Sequence, residues 1–94
     1  MSDTAIKLAL RHPHVSSENL SKAADHWNPH VTKLVAHHNN FDASVAERLF
    51  NSGEWNKMAY AINSKYSTPE MIQKSLEPHQ DHRLREVAQK LTNK

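Results

Sequence analysis

Eight histidines in a chain of 94 residues are the first place to look for chemistry. His12-x-His14, the adjacent His37-His38 and His79-x-x-His82 could each offer two ring nitrogens to a transition metal. His26 and His30 have the i, i+4 spacing of one helix face, but Pro29 interrupts it. The chain has no Cys, which excludes zinc held by sulfur, an iron–sulfur cluster, a thiol nucleophile and a disulfide framework. A structural role for these histidines is favoured over a metal site. His12 and His38 occupy the same place in a repeated stretch where a third copy has Asn63, a place that suits a polar turn residue bonding the backbone. No metal and no cofactor is expected.

Acid–base or nucleophilic catalysis is weaker still. Asp25 and His26 are neighbours in sequence and diverge on a helix, and the serines fall at helix starts. Gly53, the single glycine, leaves no Gly-rich loop to cradle a phosphate. A non-enzymatic protein is expected.

Composition narrows the class further. With 37% apolar and 23% charged residues and no low-complexity tract, residues 1–94 read as one small domain. Lys and Arg number 12 against 10 Asp and Glu, and the signs alternate without a block. A net charge of +2 is a poor footprint for phosphate, so nucleic acid stands as the alternative partner rather than the first. No stretch approaches the roughly 18 apolar residues that span a bilayer, and the N-terminus lacks a secretory apolar region. A soluble, cytoplasmic protein without a membrane span is expected.

The elements that would position any functional side chain are helices arranged as a repeat. Three stretches, 12–20, 38–45 and 63–71, run from turn-forming residues to an apolar anchor (Val15, Phe41, Tyr66), then a capping residue (Ser16, Asp42, Ser67) and a new apolar helical face. A second register agrees: Ile6/Ala9/Leu10, Val31/Leu34/Val35, Met58/Ala61/Ile62 and Leu84/Val87/Ala88 recur every 25 to 27 residues. The caps predict helices over 16–25, 42–51 and 67–76, the last with Ser67 to Glu70 as a capping box. A second set is predicted over 4–11, 29–37, 55–63 and 81–91, with Asn28 and Asp81 as caps. No segment alternates with the period of a strand. The fold class expected is all-α: a short α-solenoid of about three and a half two-helix repeats, with the polar ends of the chain on its end caps.

This pattern resembles the leucine-rich repeat variant family, a distant relative of HEAT and armadillo arrays. Ala61-Ile62-Asn63 followed by Ser67-Thr68-Pro69-Glu70-Met71-Ile72 is the closest copy, and Ala9-Leu10-Arg11-His12-Pro13 the next. The resemblance covers nearly the whole chain and implies a stack in which α-helices alternate with shorter, sometimes 3₁₀, helices. It implies no shared catalytic residue. The cysteine-rich cluster domain of the founding member has no counterpart here. The repeats are also poorer in Leu and slightly longer than the family's, which suits HEAT-like repeats in general.

Stacked repeats recognise partners with one row of helices. In the second set, Lys7, Arg11, Lys33, His37, Lys57, Arg83 and Arg85 are expected to face outward as a stripe fit for an acidic protein surface or for phosphates. Trp27 and Trp55 fall near equivalent places in successive repeats. Packing between repeats is favoured for both over service as a partner's aromatic hot spot. The function expected is a regulatory or adaptor protein that binds a larger protein. Nucleic-acid binding through the cationic stripe and a metal or pH switch at the His turns are the alternatives. An incomplete stack leaves an apolar stripe at each end, from which weak self-association is also expected.

Overall fold

The helix starts are written locally. The computed structural model describes residues 3–12 and 14–93; Pro13 of the first junction and residues 1, 2 and 94 of the polar ends lie outside them. Helices α1 (Asp3–Leu10), α2 (Ser17–Ala24), α3 (Pro29–Ala36), α4 (Ala43–Phe50), α5 (Trp55–Asn63), α6 (Pro69–Ser75) and α7 (His82–Thr92) follow in order, with no strand among the described residues. Side-chain oxygens of Ser16, Asn28, Asp42 and Asp81 accept from the first-turn amides of Asn19, His30, Val45 and Arg83, at 2.9 to 3.2 Å. Each bond satisfies a donor that the helix itself leaves unpaired. Gly53, at φ +78°, makes the left-handed turn between α4 and α5.

One cap differs from the sequence reading. Thr68, not Ser67, caps α6, its hydroxyl accepting from Met71 N at 3.2 Å. The shift places Pro69 at the first helical position, where its missing N–H costs nothing. Glu70 then stands too early to close a capping box and pairs with Lys74 instead, at 3.3 Å. The Ser67 hydroxyl is left buried without a hydrogen-bond partner.

The helices pack in two series. Successive pairs α2–α3, α4–α5 and α6–α7 lie against each other; α1, α3, α5 and α7 each touch the next of that row, and α2 touches α4. The body measures 37 × 21 × 18 Å. The core is Leu20, Val31, Val35, Val45, Leu49, Ile62, Leu84 and their neighbours, almost wholly withdrawn from solvent. Of the four apolar trios, the last three bury two or three members each, whereas in the first Leu10 is buried, Ala9 exposed and Ile6 half-buried. The anchors Val15, Phe41 and Tyr66 are half-buried against the core, not inside it.

The sequence period reappears as spatial adjacency. His38 accepts the Asn40 amide at Nδ1 (3.0 Å), so its proton sits on Nε2, which donates to the His12 carbonyl at 2.8 Å. Asn40 Nδ2 donates to the Val15 carbonyl at 2.7 Å, and the rings of Phe41 and Tyr66 lie 5.9 Å apart. Partners 25 or 26 residues apart are thus touching neighbours at successive junctions. At the third junction the backbone-bonding task passes from the position of Asn63 to Ser64, whose hydroxyl takes the Tyr66 amide at 3.2 Å.

Asp42 serves its helix twice, accepting from Val45 N and from the Ser44 hydroxyl. Asp42→Ala is expected to cost about 1 kcal/mol in urea unfolding, with an unchanged m-value; Ser67→Ala, which removes an unpaired hydroxyl, is expected to be neutral or stabilising. Equal losses from the two would contradict the cap assignment.

Candidate partner-binding surface

The cationic candidates do not form one face. Lys57 is inside: it is 2% exposed, and its ammonium pairs with Glu54 at 2.8 Å. Its expected outward placement is corrected by its position on α5, which is packed by α3, α4, α6 and α7 and has little outer surface. Arg83 is exposed but held, with Nη2 2.8 Å and Nε 3.0 Å from the Asp81 carboxylate and its guanidinium 4.3 Å above the Trp55 ring. Arg85 is half-buried and donates to the Pro78 carbonyl at 3.2 Å. His37 caps the end of α3 with its ring edge-on to Tyr60, 6.3 Å away. Lys33 and Arg11 are exposed and Lys7 is half-buried.

The two tryptophans part company. Trp55 packs against the core, whereas Trp27 is 72% exposed and stacked on His26 at 5.6 Å. The expected packing of Trp27 is therefore corrected. Trp55 is the first residue of α5, while Trp27 precedes the Asn28 cap of α3. A two-residue offset at a helix start is enough to turn one ring inward and the other out.

An apolar opening lies at the α1 end. An open groove of about 490 Å³ runs between α1 and α2, floored by Ile6, Ala9, Leu10, Val15 and Ala23 and edged by Lys22, Asp25 and His26. Leu8, on α1 but outside this lining, is 57% exposed. A recess of about 550 Å³ joins Gly53–Asn56 to His79–Asp81; it is polar and edged by the Trp55–Arg83 stack. Among the described residues no three of His, Asp or Glu stand together as a metal site would need, and no helix is long and apolar enough to cross a membrane. Sequence reasoning expected exposed apolar stripes at both ends but did not single out this groove; the signal was α1, which among the described residues has no helix before it.

The groove's edge is electrostatically fixed. Arg48 on α4 reaches back to Asp25, just past α2, with Nε 3.0 Å from Oδ1 and Nη2 on Oδ2. These bonds hold the Asp25 carboxyl below its ordinary range in spite of some desolvation. The Ser44 hydroxyl and Val45 amide do the same for Asp42, and the Arg83 side chain and amide do so for Asp81. A carboxyl that holds its proton more weakly when folded stabilises at every pH above its unfolded value of roughly 3.9. That contribution is lost as pH falls through the unfolded value toward the lower folded one. The urea midpoint is therefore expected to drop below about pH 4, and to drop less in a variant carrying Asp25→Asn, Asp42→Asn and Asp81→Asn. An identical drop in that variant would contradict the assignment.

No protein-family model, curated protein or solved structure matches the chain.

Proposed function

We propose that the protein is a small, non-catalytic protein-binding module, regulatory or adaptor in role and cytoplasmic in setting. Its two-helix units are read as a short α-solenoid akin to leucine-rich repeat variant or HEAT-like arrays. The observation that carries the reading is the open apolar groove between α1 and α2. The contacts between residues 25 or 26 apart support the stacked-repeat part of it. Nucleic-acid binding draws less support, because Lys57 is buried and Arg83 and Arg85 are engaged by neighbours.

The test is affinity capture from native extract, with and without nuclease, at low and moderate salt. A protein partner is expected to survive both treatments, since an apolar interface releases few counterions. Recovery of nucleic acid alone, lost with salt, would transfer the function to Lys33, Arg83 and Arg85. One contact favours a second reading, a pH response at the His turns: a proton added at His38 Nδ1 would face the Asn40 amide with a donor instead of an acceptor. Melting temperatures that agree at about pH 7.5 and 5.5 would remove it; the carboxylates act at lower pH.

A further inference from the structure

The groove has the shape of a seat that is filled elsewhere in the same molecule. α2 lies against α3 and α4 and buries Leu20 and Ala24 completely there. One repeat earlier the walls of that seat are α1 and α2 themselves: Ile6 and Leu10 stand where Val31 and Val35 stand, and Ala23 where Leu49 stands. Val31, Val35 and Leu49 are fully buried. Among the described residues no helix stands to α1 as α2 stands to α3.

We propose that the groove receives a two-turn amphipathic helix from a partner protein, apolar where α2 has Leu20 and Ala24 and ending in a carboxylate that pairs with Lys22. The charge follows from the internal copy. Arg48 lies six residues past its N-cap Asp42 and reaches back to the carboxylate of Asp25 at the end of the neighbouring helix. Lys22 lies six residues past its own N-cap Ser16 and edges the groove. Its ion pair with Glu18 is long at 3.9 Å and exposed, and so yields easily to a better-placed acid.

A second copy of this chain fits less well. Its α1 is followed by Arg11, which would bring a cation to Lys22. Its α6 is followed by Glu77, but it is packed against α7, which would have to occupy the place α1 already holds. The inference rests on the binding-module reading and names the partner's chemistry.

The probe is a synthetic peptide of residues 16–28, which carries α2, its cap and Asp25. Titrated into the isotope-labelled full chain, it is expected to shift resonances of Ile6, Ala9 and Ala23 and leave α6 and α7 unmoved. Lys22→Glu should weaken binding roughly five-fold, the scale of one exposed ion pair, and a peptide with Asp25→Lys should restore it. Short peptides are largely unfolded alone, so the same segment is also joined ahead of residue 2 by a flexible linker. There it should raise the melting temperature by about 5 °C, and Ala9→Arg should abolish the rise. No shift in trans together with no rise in cis overturns the proposal, as does equal binding by Lys22→Glu. So does a dimer by light scattering that Ala9→Arg dissociates. A captured partner indifferent to Ala9→Arg would remove the groove's role and leave the binding-module reading standing.

Discussion

Glu54→Ala is expected to destabilise the protein by about 2 kcal/mol, whereas Lys57→Met should leave it unchanged or make it more stable. Among the described residues Lys57 is the one charged side chain in the core, and the Glu54 carboxylate 2.8 Å from its ammonium is half exposed. Removing the acid leaves a buried cation without its partner, which costs several kcal/mol in a closed interior; water reaching the half-open side of the pair reduces that figure. Removing the cation leaves an acid that water can solvate, and a methionine of similar length keeps the packing. Urea unfolding of the two variants and the double variant reads the difference. A Lys57→Met loss as large as that of Glu54→Ala would show that the ammonium itself stabilises the fold.

Leu49→Ala should cost about 3 kcal/mol, the usual range for a leucine truncated in a tight core. Leu49 is fully buried on α4, in the cluster that joins α2, α4 and α5. The total stability of a domain this size is about 5 to 14 kcal/mol, so a visible unfolded fraction on warming is expected. Leu8→Ala, on a side chain 57% exposed, should change stability by less than about 0.5 kcal/mol. Similar losses from both would mean that α1 packs more closely than the groove implies.

Helix positions were legible because their signals are local. Ser16, Asn28, Asp42 and Asp81 cap the helices whose starts they announced. The α6 start slipped by one residue because Ser67 and Thr68 are both competent caps and the choice falls to Pro69. What failed to show was tertiary. Lys57 and Arg83 each precede the first apolar residue of their trio, yet one is buried and the other covers Trp55. The difference is that α5 has a row neighbour on both sides and α7 on one. The Asp25–Arg48 link crosses 23 residues and has no local trace. The groove could be reasoned toward, since among the described residues no helix precedes α1 to cover its stripe, but the carboxylate proposed for its occupant rests on Arg48 reaching back to Asp25, which has no local signal.

The most direct measurement compares wild-type protein with Ala9→Arg in capture from native extract, after nuclease and at moderate salt. Ala9 is exposed in the groove, so the substitution should leave the melting temperature within a few degrees while placing a charge on the apolar floor. A discrete protein retained by the wild type and lost by Ala9→Arg is the expected result. Equal retention by both, or recovery of nothing but nucleic acid, would contradict a function carried by this groove.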